Sequence, residues 1–141
     1  MIGGLYLNSI RDLCKDISLN RVYNWKDIPK RMLLNAVTNL DNDEEKLVLF
    51  YDSSVLETGR TGIAICDNGI HWKDISTPPG YLSWEDFLDI EVSHDDYYIY
   101  LGDNEGVFVF NRDVKVLIEL LTNIRASLKG MVKSELIAKD G

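Results

Sequence analysis

The sequence predicts an α+β domain with N-terminal helices, about seven short antiparallel strands and a C-terminal helix that caps them. Apolar residues recur at helical spacing near both ends of the chain. In the middle they form short runs, some with a period of two, separated by turn-forming residues. Short connections favour a meander that closes into a small barrel or a sharply bent sheet. The 141 residues suffice for one such domain with its own core.

The N-terminal region, residues 1–45, is predicted to be helical. A second apolar stripe, from Met32 to Leu40, follows Asp27, a candidate N-cap, and Pro29, which is tolerated in a first turn. The acidic run 41–45 should end this second helix in solvent. The first stripe has helical spacing and consists of Tyr6, Ile10, Leu13, Cys14 and Ile17.

The strand signals begin at residue 46. The dipeptide Asn68-Gly69 lies between two apolar runs and is a strong hairpin signal. The segment Leu88–Val92 alternates apolar and acidic residues, as expected for a half-exposed strand. The predicted strands are 47–51, 62–66, 70–73, 81–84, 88–92, 97–101 and 107–110.

A C-terminal helix is predicted from about Asp113 to Leu128. Lys129-Gly130 should end it, because glycine is common just after a helix. Residues 46–130 would therefore form the strand region with its capping helix, and residues 131–141 a tail that frays. The apolar stripe of the helix consists of Leu117, Leu120, Leu121, Ile124 and Leu128.

Residues 46–128 resemble a bacterial pleckstrin-homology-like, or GRAM-like, domain of unknown function. The resemblance implies seven antiparallel strands with a C-terminal capping helix and leaves the N-terminal helical region outside. It also implies phosphoinositide ligands held by Lys and Arg of the first strands and their loop. The residues that carry the resemblance are Tyr51-Asp52-Ser53-Ser54-Val55, the segment Thr61 to Lys73 with its Asn68-Gly69 turn and Trp72-Lys73 pair, and Tyr81-Leu82-Ser83-Trp84-Glu85-Asp86-Phe87.

The acidity of the chain is concentrated in its middle. The formal net charge is −8 overall, and residues 46–110 contain twelve Asp or Glu against only Lys46, Arg60 and Lys73. Such a surface repels nucleic acid and anionic lipid and attracts basic proteins. We therefore expect a basic protein partner, no nucleic acid and no direct membrane insertion, and phosphoinositide binding is disfavoured.

No residue pattern indicates catalysis, a metal or a cofactor, and we predict that the protein is not an enzyme. The only histidines, His71 and His94, show no metal-ligand spacing. Cys14 lies on the apolar face of the first predicted helix, whereas alternation with Ile63 and Ile65 could turn Cys66 outward. The sequence leaves a disulfide or redox role for these two cysteines open.

The sequence also predicts a cytoplasmic location. The N-terminus lacks a basic segment, and Ile2 rather than glycine follows Met1, which argues against a signal peptide and N-myristoylation. No apolar stretch reaches the roughly 18 residues that a membrane helix needs.

Acidic and aromatic residues share the strand region, which suggests a binding surface for a basic protein. Our first hypothesis is a non-enzymatic protein-binding module, for example an immunity or antitoxin-like inhibitor of a basic nuclease toxin. The alternative is an adaptor or regulatory domain that binds a peptide or a membrane-proximal protein through its N-terminal helices. Ordinary strand composition would also explain the aromatics. The predicted binding residues are Trp84, as an anchor, with Glu85, Asp86, Asp89, Glu91, Asp95 and Asp96.

Overall fold

The structure is a computed structural model that describes the backbone of residues 10–140 and the side chains of residues 10–131. Residues 10–14 are helical, and a 3-10 turn at Glu44–Lys46 precedes the second strand. The other elements are β1 (Val22–Asn24), α1 (Lys30–Asn39), β2 (Leu47–Asp52), β3 (Gly62–Cys66), β4 (Gly69–Lys73), β5 (Gly80–Ser83), α2 (Trp84–Leu88), β6 (Val92–His94), β7 (Tyr98–Leu101), β8 (Val107–Phe108) and α3 (Asn111–Asp140).

The strands form two antiparallel sheets. The first is a five-stranded meander in the order β1-β2-β3-β4-β5, and the second is the three-stranded meander β6-β7-β8. The predicted α+β class, the antiparallel pairing and the C-terminal helix are confirmed. The closed barrel and the count of about seven strands are wrong, because α2 interrupts the meander after β5 and β1 adds an eighth strand. Among residues 10–140, no strand pairing joins the two sheets.

Strands β2 and β3 are buried on both faces. On one face Phe50 and Ala64 pack in a cluster with Met32 and Ala36 of α1. On the other face the two strands pack against α3. The contact is formed by Leu49, Tyr51, Ile63 and Ile65 of the strands and by Leu117 and Leu121 of α3. A strand covered on both faces has a continuous apolar sequence, which explains why residues 47–51 do not alternate with polar ones.

The predicted strand at residues 88–92 is wrong. The chain instead forms the short helix α2 directly after β5, and the next strand begins only at Val92. The Ser83 hydroxyl caps this helix by accepting a hydrogen bond of 3.2 Å from the backbone N–H of Asp86. Trp84 and Phe87, three residues apart, bury their side chains on one helix face.

The predicted end of the C-terminal helix at Gly130 is also wrong. The helix continues to Asp140, and Met131, beyond the glycine, still packs against the core. A Cβ added at Gly130 would meet no atom within 4 Å, so this glycine lies on an open side of the helix. A glycine inside a helix costs about 1 kcal/mol, which packing on both sides of it can offset.

The N-terminal region is more closely joined to the sheet than its helical pattern predicts. Strand β1 pairs with β2, and Trp25 packs against the core. Helix α1 begins after Pro29, and no side chain caps it, so the predicted capping role of Asp27 is wrong. Tyr6, predicted on the first helix, lies outside the described residues.

Candidate functional site

The six carboxylates predicted to bind a partner all lie on the surface of residues 85–96. They are Glu85, Asp86, Asp89, Glu91, Asp95 and Asp96, which we call the acidic surface, and all six are exposed. Glu85 and Asp86 lie on helix α2 and Asp89 is its C-cap, whereas Asp95 and Asp96 lie in the turn between β6 and β7. Within the described part of the chain, none of the six forms an ion pair.

Trp84 does not belong to this surface. Its side chain is 1% exposed, and its ring packs edge-on against Phe87 with centroids 5.5 Å apart. The indole N–H points to the carbonyl oxygens of Cys66 and Asp67, each 3.1 Å from Nε1. The predicted anchor role is therefore corrected: Trp84 fastens α2 to the β3–β4 hairpin and is not accessible to a partner.

Asp95 organises the turn between β6 and β7. Its Oδ1 accepts hydrogen bonds from the backbone N–H groups of Tyr97 (2.9 Å) and Tyr98 (2.8 Å), and its Oδ2 accepts one from the Tyr100 hydroxyl (2.9 Å). These bonds, led by that from Tyr97, hold the pKa of Asp95 below its ordinary value of 3.8. Both carboxylate oxygens are thus already engaged within the turn.

A second surface feature, which the sequence did not predict, is an open cavity of about 650 Å³. Three segments border it: the β2–β3 loop, the β4–β5 loop and the adjoining strands β7 and β8. We call it the loop groove, and its lining residues are Ser53, Ser54, Val55, Leu56, Thr58, Arg60, Thr61, Asp74, Ile75, Ser76, Tyr98 and Phe108.

The rim of the loop groove is unusually apolar for surface loops. Val55, Leu56 and Ile75 are 74%, 84% and 81% exposed, and Tyr98, also in the lining, is 36% exposed. Single exposed apolar residues are ordinary, but several around one concavity are typical of an interaction site. The groove is therefore a candidate for a docking site.

Internal hydrogen bonds give the two loops of the groove a defined shape. In the β2–β3 loop, Asp52 Oδ1 accepts bonds from the Ser54 hydroxyl (2.6 Å), the Ser54 N–H (3.0 Å) and the Gly59 N–H (3.3 Å). In the β4–β5 loop, Lys73 Nζ donates to the carbonyl oxygens of Asp74 and Thr77, both at 2.6 Å. A preformed groove loses less conformational entropy on binding than a disordered one.

The outer face of the small sheet is aromatic and adjoins the groove. Phe108, which lines the groove, lies 6.0 Å from Tyr98 and 5.0 Å from Phe110, measured between ring centroids. The Arg21 guanidinium stacks on Phe110 at 4.0 Å, and its Nη1 donates to the Ser54 carbonyl at 2.6 Å. This face therefore already binds one guanidinium group of the protein itself.

The cysteines and His71 are placed for packing. Cys66 is fully buried, contrary to the outward orientation that alternation allowed, and burial raises the pKa of both thiols to about 12. Cys14 and Cys66 are free and belong to different core clusters. His71 is buried, and the loss of hydration lowers its pKa. Among the side chains of residues 10–131, no three His, Cys, Asp or Glu gather as a metal site would require.

Comparison with known proteins adds no relative. No protein-family model matches the chain, and searches of curated proteins and of solved structures return no match either. Within the described residues, no helix combines the length and apolar character needed to cross a bilayer.

Proposed function

We propose that the protein is a non-enzymatic protein-binding module that recognises a basic protein partner. The observation that carries the proposal is the acidic surface, six exposed carboxylates without an ion pair within the described residues. Residues 46–110 carry a net charge of −9 from three basic and twelve acidic residues. A field of one sign steers an oppositely charged partner and accelerates association.

A concrete form of this function is inhibition of a basic nuclease, as immunity proteins and antitoxins do. A nuclease holds its substrate phosphates with Lys and Arg, and carboxylates can occupy the same cationic site. Because Asp95 already binds its own turn, the residues left for the partner are mainly Glu85, Asp86, Asp89, Glu91 and Asp96. The buried free thiols suit a reducing compartment, which supports a cytoplasmic location.

We also propose that residues 46–130 are a divergent pleckstrin-homology-like domain. Strands β2 to β8 number seven, as the sequence resemblance implies, and α3 follows them and packs on the first sheet. In this proposal β1 and α1 are additions from the N-terminal region. Fold alone does not define the ligand, so a pleckstrin-homology-like fold is compatible with both an inhibitor and an adaptor.

The proposal is tested by affinity capture from cells that express the protein naturally. A neutralised variant carries Glu85→Gln, Asp89→Asn and Glu91→Gln, and a control variant carries Asp12→Asn, Asp16→Asn and Asp27→Asn, three exposed acids of the N-terminal region. We expect wild type and control to retain the same basic protein and the neutralised variant to lose it. Equal retention by all three would refute the role of the acidic surface.

A second function, an adaptor that binds a peptide, is favoured by the loop groove. The groove is apolar, preformed and at the surface, as peptide-binding sites are. In this alternative the acidic surface only assists association. Binding that persists in the neutralised variant and disappears when the groove is altered would favour the adaptor function.

A further inference from the structure

We infer that the loop groove binds an extended segment of the basic partner, with an apolar anchor residue in the groove and an adjacent Arg or Lys on the aromatic face. This inference rests on the proposed function, since it assumes a basic protein partner, but it assigns a second contact that the acidic surface does not supply.

The apolar lining of the loop groove indicates that the partner inserts an apolar anchor residue. A volume of about 650 Å³ lies within the range of roughly 300–1,000 Å³ that is usual for ligand sites. Val55, Leu56 and Ile75 expose most of their surface to water, and covering them with an apolar side chain would remove that surface from solvent. The hydroxyls of Ser53, Ser54 and Thr61 in the lining are hydrogen-bonded within the loop, so they hold the shape of the groove.

The adjacent cationic residue follows from the aromatic face. Arg21 shows that a guanidinium stacks there, 4.0 Å from the centre of the Phe110 ring. No cation of the described residues lies over the neighbouring rings of Tyr98 and Phe108, both of which line the groove. The Asp74 carboxylate, which shares the lining with Arg60, forms no ion pair within that part of the chain and can receive a second cation, although Lys73 Nζ already bonds to the Asp74 carbonyl oxygen.

Charge complementarity favours this occupant over the two alternatives. The lining itself is neutral, since Arg60 and Asp74 are its only charged residues, but a second copy of the chain would bring another net charge of −8 toward a chain of the same net charge, which opposes association. Anionic lipid is disfavoured for the same reason: Arg60 is the only basic residue in the lining, and the surrounding residues 46–110 have a net charge of −9. An apolar segment flanked by cations would gain apolar contacts in the groove and electrostatic attraction from the net negative charge of residues 46–110.

The test uses a displayed library of random linear peptides, selected on the full-length wild-type protein. We expect enriched peptides to combine a Leu, Ile, Phe or Trp with a nearby Arg or Lys. The dissociation constants of the enriched peptides are then measured by fluorescence anisotropy. Leu56→Asp and Ile75→Asp should each weaken binding about tenfold or more, because each replaces apolar contact with a charge. Both positions are highly exposed, so folding should be preserved.

The matched control is Leu34→Asp, which changes a leucine that is 67% exposed on α1 and does not line the groove. It should bind as wild type does. No enrichment, enrichment of acidic peptides, or equal loss in Leu34→Asp would overturn the inference. So would groove-dependent sedimentation with phosphatidylcholine vesicles or groove-dependent dimerisation, since those results identify a lipid or a second copy as the occupant.

Failure of this inference can be distinguished from failure of the proposed function. If the neutralised variant loses the captured basic protein while Leu56→Asp and Ile75→Asp retain it with unchanged affinity, the proposed function stands and the groove contact is refuted. If the neutralised variant retains the captured protein as the control does, the proposed function itself fails.

Discussion

The Tyr51 hydroxyl donates a hydrogen bond of 2.8 Å to Asp113 Oδ2 in the protein interior. It also accepts a bond of 3.1 Å from the backbone N–H of Phe110, so one side chain of β2 holds the start of α3 and the segment before it. Burial, followed by the bond to Asp113, raises the pKa of Tyr51 well above its ordinary value of 10.0. The hydroxyl therefore remains a proton donor throughout the physiological pH range.

Removing this hydroxyl should destabilise the whole domain. We expect Tyr51→Phe to lower the free energy of unfolding by about 1–3 kcal/mol, because it leaves the buried Asp113 oxygen without its partner. Urea denaturation followed by circular dichroism measures the change. The control is Tyr81→Phe, which removes an exposed 3.1 Å bond to the Asn68 carbonyl and should cost about 0.5 kcal/mol or less. Equal costs would contradict the interior role of Tyr51.

His71 should make stability depend on pH near neutrality. Burial lowers its pKa from the ordinary value of 6.5, although the Leu40 backbone bond and Asp41 oppose this shift and Lys46 adds to it. The unfolded chain therefore binds a proton at higher pH than the folded chain. The free energy of unfolding should accordingly be constant above pH 6.5 and fall as the pH drops through the folded-state pKa.

This pH effect can be isolated from that of the carboxylates, which ordinarily titrate near about pH 4. Denaturation midpoints measured between about pH 7 and pH 5 should decline for wild type and remain level for His71→Gln. His94→Gln changes an exposed histidine and should retain the decline. A decline that survives in His71→Gln would assign the effect to another group.

Both thiols should be inert in the folded protein. Cys14 and Cys66 are fully buried, and burial raises the pKa of each to about 12, so neither forms the reactive thiolate. An aromatic disulfide reagent should therefore react with neither thiol in buffer and with both in denaturant. Oxidation should produce no internal disulfide. Rapid reaction of either thiol at neutral pH would contradict this burial.

Two glycines should respond oppositely to alanine. Gly59 has a φ of +77°, and a Cβ there would lie 2.6 Å from Met32 Cγ and 2.7 Å from Met32 O. Gly59→Ala should therefore lower the free energy of unfolding by about 1–3 kcal/mol and disturb the loop groove. Gly130→Ala fills open space inside α3 and should raise it by about 0.5–1 kcal/mol. Thermal denaturation measures both, and a destabilising Gly130→Ala would indicate that α3 ends there.

The elements that the sequence predicted well are those whose signals are local. The apolar run 62–66, the Asn68-Gly69 turn and the run from Ile70 are confirmed as the β3–β4 hairpin, whose register pairs Ile65 with Ile70. The turn signal and the apolar runs on either side of it lie within a dozen residues, so this hairpin can be predicted locally even though α1 and α3 bury it. Helix α3 was likewise predicted from its apolar stripe, but its continuation past Gly130, where Met131 packs against the core, was not.

The errors arose where local patterns were ambiguous. Trp84, Phe87 and Leu88 have helical spacing, but their aromatic and alternating neighbours suggested strands. The Ser83 hydroxyl caps a helix at this position, and within this helix Trp84 is buried in the core. Because of the same ambiguity, Trp84 was predicted as an exposed anchor although it is buried. The exposure of the six carboxylates could be predicted because charged side chains rarely lie in the interior.

The loop groove was missed because its lining comes from residues far apart in the chain. Leu56, Ile75 and Phe108 meet only through the packing of two sheets. One local signal was present, since Val55, Leu56 and Ile75 are apolar residues inside segments otherwise rich in Ser, Thr, Gly and Pro. Apolar side chains in such loops are candidates for interaction sites.

The most direct test of the central claim is the salt dependence of affinity for the captured partner. The dissociation constant of the purified complex is measured between about 0.05 M and 0.5 M salt, a range over which the screening length falls severalfold. We predict that binding by wild type and the control variant weakens steeply with salt, while the neutralised variant binds more weakly and its affinity depends less on salt. An affinity independent of salt and unchanged in the neutralised variant would contradict recognition of a basic partner by the acidic surface.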